Sequence, residues 1–276
     1  MTAGQDLQGK TFLVTGASSG IGRATVVDLA RRGGKLFLAT RSEKKTKPVL
    51  DEIGDNATYL HLDLGDLSAV RASADAFLAR DEPLHVLVNN AGLAGQRGIT
   101  KSGFELAFGT NHVGHFLFTN LLLDRLKASG PSRIVNVSSM SHYQAKGIDY
   151  EAVRKPTKSI TGLREYAVSK LANVVHAQEL ARRLDGTGVT TYSLHPGAIA
   201  SNVWRRVPWP LDAVMKLFMK SNEEGARTSV YCVTDPALAD VSGRYYDDCA
   251  EKEPSKVATP ELAAELWQKS EEWTSR

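Results

Sequence analysis

Six short runs of β-branched and aliphatic residues, separated by longer segments that read as helices, leave this chain very few possible folds. The runs are Thr11–Thr15, Lys35–Thr40, Ala57–His61, 85–89, 133–138 and 189–194, and several are apolar almost throughout. A strand with one face in water alternates apolar and polar residues, whereas a continuous apolar run suits a parallel sheet covered on both faces. Helical segments lie between them, for example 21–32, 66–80, 103–127 and 165–184. Strands alternating with helices specify βαβ units, so the expectation is an α/β fold with a doubly wound parallel sheet and helices on both faces. A late strand near 243–246 and a helix from about Glu261 close the pattern. Length alone would allow two domains, at about 150 residues each. The unbroken alternation argues instead for one domain over residues 1–276.

Two segments interrupt the alternation. Residues 140–164 are mixed and polar; residues 201–220 carry Pro208, Trp209 and Pro210 and then the apolar stretch VMKLFM. Both follow the carboxyl ends of strands, where doubly wound sheets bind ligands, so both are expected as walls of a substrate pocket.

Composition excludes several classes. With 34 Lys plus Arg against 31 Asp plus Glu, the net charge is +3, without the clustered basic excess of a nucleic-acid surface. A hydrophobic content of 42% supports a sizeable core rather than disorder. Cys232 and Cys249 have no metal-ligand spacing and are expected as free thiols, and His112 with His115 lacks a third ligand, so no metal is expected. The N-terminal MTAGQDLQGK has no secretory pattern, and no window approaches 18 uninterrupted apolar residues. A cytoplasmic location without an integral membrane span is the expectation.

Directly after the first run comes Thr15-Gly16-Ala17-Ser18-Ser19-Gly20-Ile21-Gly22, with glycines spaced G-x-x-x-G-x-G. Glycines at a strand-to-helix junction permit a tight turn, close backbone approach to a pyrophosphate, and a helix N-terminus facing the anion. This predicts a Rossmann-type dinucleotide site. A phosphate-binding P-loop is excluded because no Lys-Ser/Thr pair follows the last glycine. The second strand ends Leu38-Ala39-Thr40-Arg41, with no acid where a ribose 2′-hydroxyl would be held. The Arg41 guanidinium instead suits a 2′-phosphate, which favours NADP(H) over NAD. Lys44, Lys45 and Lys47 add positive charge but read rather as a solvated helix start. Asp63 closes the third run and would serve equally as a helix cap, while the small Asn89-Asn90-Ala91-Gly92 stretch suits close approach of a ligand.

Tyr166 and Lys170 lie four residues apart, one turn along a helix face. By chance about half such a match is expected from this composition, so the spacing is weak by itself. Context strengthens it: the pair follows the fifth run, which ends Asn136-Val137-Ser138-Ser139, and Asn111 lies in the preceding helix within FGTNHVGHF. Carbonyl reduction needs a proton donor beside the oxygen, and a phenol near pKa 10 is a poor one unless a neighbouring ammonium lowers that value.

TGASSGIG together with this ordered Asn, Ser, Tyr and Lys set resembles the classical branch of the short-chain dehydrogenase/reductase family. SKLANV, the His195-Pro196-Gly197 turn, KSNEEGA at 220–226 and SGRYYDDC at 242–249 resemble its retinol-dehydrogenase-like subgroup, over about residues 8–273. The resemblance implies an oxidoreductase with Tyr166 as general acid/base and Lys170 lowering its pKa while binding the nicotinamide ribose. Ser139, favoured over Ser138 and Ser141 by aligning NVSS, would orient the substrate oxygen, and Asn111 would anchor a water linking Lys170 to solvent. The cofactor would lie on Gly16, Ser18, Ser19, Gly20, Ile21 and Gly22. Asp63 and Leu64 would border its adenine, and Asn90, Ala91 and Gly92 its adenosine half. Pro196, Gly197, Ile199 and Ser201 would form the nicotinamide loop, whereas His195 reads as structural. The interval from Ser139 to Tyr166 is about double that of many family members.

Members of the subgroup act on retinoids and other lipophilic alcohols or aldehydes. Trp204, Trp209, Leu217 and Phe218 would cover an apolar pocket, or else pack as a helix on the body or a partner; a small aldehyde or ketone is equally open. A non-catalytic NADP-binding regulator or scaffold is the alternative from another class. The segments 103–127 and 165–184 commonly form the family's dimer interface, so a homodimer is possible, with Leu171, Val174, Val175 and Leu180 facing either core or partner.

Overall fold

Phe12, Val14, Leu36 and Leu38 pack on one side of a central sheet, while Leu13, Phe37 and Ala39 pack on the other. Successive strand side chains point to opposite faces, so these runs must be covered twice. The computed structural model describes residues 6–197 and 221–275. In chain order its main elements are β1 (Thr11–Thr15), α1 (Gly20–Arg31), β2 (Lys35–Thr40), α2 (Glu43–Ile53), β3 (Ala57–His61), α3 (Leu67–Leu78) and β4 (Val86–Asn89). There follow α4 (Leu106–Phe108), a π turn (Gly109–Val113), α5 (Gly114–Ala128), β5 (Ser132–Val137), α6 (Leu163–Arg183) and β6 (Val189–His195). The last are α7 (Asn222–Thr234), β7 (Arg244–Asp247), β8 (Ala250–Lys252) and α8 (Pro260–Thr274).

The sheet order is β3-β2-β1-β4-β5-β6-β7-β8. All neighbours are parallel except β7 and β8, so the doubly wound α/β expectation holds with one antiparallel edge added. From β1 the chain winds outward through β2 and β3, then returns to place β4 on the other side of β1. The crevice beyond β1 and β4 is therefore the switch point at which this architecture binds ligands.

The C-terminal helix covers α6. Ala263 and Leu266 of α8 pack with Leu171 and Val175, and the Trp267 ring meets Phe116 edge-on at 4.9 Å, under the Arg183 guanidinium at 4.2 Å. Leu171, Val174, Val175 and Leu180 are all fully buried within their own chain. Each such side chain contributes about 1.5–3 kcal/mol by leaving water.

Beneath α8 and along the start of α5 lie three buried histidines, His112, His115 and His176. Burial holds all three below the ordinary imidazole value of 6.5, His115 at about 4 and His176 at about 3. Their folded values lie below the unfolded ones, so the unfolded chain takes up protons first as pH falls. The stabilisation is complete above about pH 6.5 and is lost progressively on acidification, by about 2 kcal/mol each for His115 and His176 near pH 5. Thermal melts from neutral pH downward check this: the midpoint drops below about pH 6.5, and His176→Leu makes the drop shallower.

Candidate active site

The turn after β1 closes on itself through backbone geometry only glycine accepts comfortably. Gly16 has φ +70, and a Cβ there would fall 2.7 Å from Ala91 Cα. At Gly22 a Cβ would sit 2.5 Å from both the Asn90 amide and the Gly16 carbonyl. The glycine turn and the Asn90–Gly92 stretch after β4 are thus packed backbone to backbone. Thr15 joins them: its Oγ1 accepts the Asn90 and Ala91 N–H groups at 2.9 Å each, and its carbonyl accepts the Asn90 amide at 2.8 Å. Asn89 points the other way, its amide donating to Thr119 and Asn136 at 2.9 Å inside the core.

Side-chain caps from Ser42, Asp66, Ser221 and Thr259 close the N-termini of α2, α3, α7 and α8, but Ser19 provides none for α1. The first turn of α1, with Ser18, Ser19, Gly20 and Ile21, therefore presents backbone donors and a positive dipole end toward the switch point. Arg41 is exposed at the tip of β2. Thr40 is turned inward, its hydroxyl 2.5 Å from that of Thr46, and Lys47 is paired with Asp51 at 2.8 Å along α2. Asp63 is not a helix cap: its carboxylate accepts the Gly65 N–H at 3.0 Å, and Asp66 caps α3. Leu64 is buried, its carbonyl 2.3 Å from where a Cβ on Gly114 would stand, so α5 starts hard against this loop.

Ser138 and Ser139 separate cleanly. The buried Ser138 hydroxyl donates to the Lys170 carbonyl at 2.7 Å, whereas Ser139 is half-buried and beside Tyr166. Tyr166 and Lys170 project from α6 next to the end of β5. The Lys170 ammonium donates to the Val137 carbonyl at 2.8 Å, a carbonyl shared with Asn173 at 3.1 Å, and it lies 5.6 Å from the centre of the Tyr166 ring. Burial lowers Lys170 to about 8. Burial also pushes the Tyr166 phenol above its ordinary value of 10, with the Ser139 hydroxyl opposing. The lowering expected from Lys170 is not seen at this separation. In this arrangement the ammonium is directed at a backbone carbonyl, and loss of water outweighs it.

Asn111 lies inside the π turn, a local irregularity that recurs at functional sites. Its amide donates to the Leu93 carbonyl at 3.0 Å and to Ser169 at 2.9 Å, and its side-chain oxygen accepts the Leu93 N–H at 2.9 Å. Both amide hydrogens are committed to these partners. A Cβ on Gly92 would stand 3.3 Å from the Lys170 ammonium and 3.4 Å from the Asn111 side-chain oxygen, so the turn after β4 meets both side chains at this glycine. Pro196 and Gly197 close β6, with Gly197 at φ +92; Ile199, Ser201 and the 201–220 segment lie outside the described residues.

Three participants escaped the sequence reading: Thr15, His115 and Ser169. His115 shares a helix face with Asn111, four residues on, which is the one signal that pointed to it. A hollow of about 530 Å3 lined by Arg23, Asp28, Arg31, Arg227, Tyr231 and Cys249 shares none of the proposed site residues. Among the described residues no group of three or more His, Cys, Asp or Glu could hold a metal ion, and no helix is long and apolar enough to cross a membrane.

A family model described as short chain dehydrogenase matches residues 10–209. The chain is 41% identical over 279 residues to human retinol dehydrogenase 13, covering 96% of this chain and 84% of that protein. It is 43% identical over 278 residues to human retinol dehydrogenase 11, covering 96% and 86%. Its fold matches the crystal structure of an uncharacterized protein from Mycobacterium paratuberculosis with a TM-score of 0.80 and 32% identity, over 100% of this chain and 97% of that one. A 3-ketoacyl-(acyl-carrier-protein) reductase from Brucella melitensis, solved in complex with NADH, shares the fold with a TM-score of 0.71 at 22% identity, over 92% and 100%.

The fold and these relatives place the molecule among the Rossmann-type oxidoreductases. The chain belongs to the short chain dehydrogenase family, and within it to the members that resemble retinol dehydrogenases.

Proposed function

We propose that this chain is an NADP(H)-dependent oxidoreductase that interconverts a carbonyl and an alcohol on a lipophilic substrate. The observation that carries the reading is the meeting of Ser139, Tyr166 and Lys170 beside the glycine turn at the sheet's switch point, with Gly92 against both Lys170 and Asn111. The uncapped start of α1 and the closely packed glycines fit a dinucleotide pyrophosphate, and Arg41, with no acid at the β2 tip, fits a 2′-phosphate. Asp63 and Leu64 would flank the adenine, and Pro196 and Gly197 the nicotinamide end.

When bound, the dinucleotide supplies or accepts the hydride. The chain's own residues then handle the oxygen and its proton. Ser139 donates a hydrogen bond to the substrate oxygen and so polarises the carbonyl. The Tyr166 hydroxyl delivers its proton to that oxygen as negative charge develops there. Lys170, on the same helix face and 5.6 Å from the ring centre, would turn from the Val137 carbonyl toward the phenolate that remains, and the reverse sequence serves alcohol oxidation. With its value raised by burial, Tyr166 stands protonated at neutral pH, ready to act as the acid in reduction.

The lipophilic substrate class is supported by the rim. Met140, Tyr143 and Leu163 are exposed on the segments that carry Ser139 and Tyr166, and Ile160 is 87% exposed just before α6. Large apolar side chains so placed favour an apolar ligand. The names of the relatives, retinol dehydrogenases, point to the same class. A non-catalytic scaffold would not require the Ser139, Tyr166 and Lys170 set.

Arg41→Ala tests the cofactor assignment. Fluorescence titration should show NADPH bound about tenfold more weakly, with NADH nearly unchanged, as expected for loss of one charge-assisted contact to phosphate. Wild-type protein that binds NADH at least as tightly as NADPH would overturn the assignment.

A further inference from the structure

The hydrogen bonds around His115 fix its tautomer. Its Nδ1 lies 2.9 Å from the Asn111 carbonyl, which can only accept, so Nδ1 carries the proton. Nε2 is then an acceptor, and its partner at 2.8 Å, the Thr15 hydroxyl, must be the donor. The other acceptor near Thr15, the Val88 carbonyl, is more distant at 3.4 Å. With its proton directed to His115, Thr15 Oγ1 turns both lone pairs to the Asn90 and Ala91 N–H groups. Thr15 and His115 are both buried, so water cannot substitute for either bond.

We propose that His115 is a positioning residue, a two-armed clamp that holds the Asn111 turn with one ring nitrogen and the Thr15–Asn90–Ala91 junction with the other. It would tie the Asn111 turn at the head of α5 to the floor of the dinucleotide site, and this role rests on the dehydrogenase reading above. The clamp works only in one protonation state. A proton on Nε2 would require Thr15 Oγ1 to accept three hydrogen bonds with two lone pairs, releasing one of the turn's N–H groups. The titratable groups facing His115 are Lys170 from α6 together with His112 and His176. None carries negative charge, and burial keeps the ring neutral well below pH 6.5.

Nitrogen-15 NMR of the labelled full chain tests the clamp without any turnover. The His115 signals should show Nδ1 protonated and Nε2 bare, unchanged from about pH 8 to about pH 6. An Nε2–H tautomer, or titration within that range, would overturn the proposal. Two variants separate the arms. His115→Gln keeps an acceptor within reach of Thr15 but offers Asn111 no donor, and should lower kcat about tenfold with the smaller change in NADPH Kd. His115→Asn keeps a donor toward its own turn but cannot span to Thr15, and should raise the Kd about tenfold with the smaller change in kcat. Equal changes in both constants, in step with a lowered melting temperature, would reduce His115 to a packing residue. If wild-type protein reduces no carbonyl, the dehydrogenase reading fails, while the tautomer and the two Kd values still decide the clamp.

Discussion

Tyr166→Phe is expected to lower turnover about a thousandfold while leaving NADPH binding within about twofold. The substitution removes one hydroxyl and keeps the ring in its half-buried place, 5.6 Å from the Lys170 ammonium. Ser139 and the glycine turn are untouched, so dinucleotide and substrate still bind. What is lost is the proton delivered to the developing alkoxide, a contribution of about 10²–10⁴ for a positioned acid. Steady-state kinetics with titration of the dinucleotide separates the two quantities: kcat falls and Kd holds. A Tyr166→Phe enzyme with most of its activity, alongside an inactive Lys170→Ala, would mean that the proton comes from elsewhere.

The second large effect is on the cofactor floor. Gly16→Ala should weaken NADPH binding about a hundredfold, or about 2.7 kcal/mol. Two costs combine. A left-handed backbone costs a residue with a Cβ about 1–2 kcal/mol. The new Cβ would also meet Ala91 Cα at 2.7 Å, and that atom is backbone, tied through its own N–H to Thr15. Either the turn after β4 moves or the glycine turn does, and both belong to the proposed dinucleotide site. Gly186→Ala is the control, since φ is +73 there but nothing lies within 4 Å. It should show the conformational cost alone, as a lower melting temperature with unaltered NADPH affinity. If Gly16→Ala behaves as the control does, the two turns do not jointly hold the cofactor.

Strands read directly from the sequence where β-branched and aliphatic residues cluster between turn residues, whether buried on both faces as in β1 or half-buried as in β3. The bounds of β1, β2 and β3 coincide with the apolar runs. The edge strand β8 was not legible because all three of its residues are exposed. Its hairpin turns through Asp248 and Cys249, both at positive φ, where glycine or asparagine is the usual sign. The helix start read at Lys44, Lys45 and Lys47 is α2, which runs on through Pro48, and the expected 103–127 helix begins at α4 and is broken by the π turn. Periodicity alone does not report a single extra residue per turn.

The proposed site was legible where residues act through sequence neighbours and illegible where they act through space. Tyr166 and Lys170 share a helix face, and spacing alone reveals that. The choice of Ser139 over Ser138 came from aligning NVSS on the family, and its physical ground is the Lys170 carbonyl that captures Ser138. The Tyr166 phenol departs from expectation because spacing says nothing of desolvation or of the Val137 carbonyl that draws the ammonium away. His115 was weighed only as a metal ligand. Its partner Thr15 lies 100 residues earlier, and no local pattern couples them. The apolar side chains of α6 left open between core and partner are settled by α8, which arrives from the far end of the chain.

The most direct test of the central claim is dinucleotide oxidation followed by absorbance, with a series of aldehydes and ketones of increasing chain length. NADPH consumption should strengthen with the apolar length of the carbonyl compound and be at least about tenfold slower with NADH. Protein that binds NADPH tightly yet oxidises none of it with any carbonyl, and reduces no NADP with the matching alcohols, would contradict the account and favour a binding scaffold.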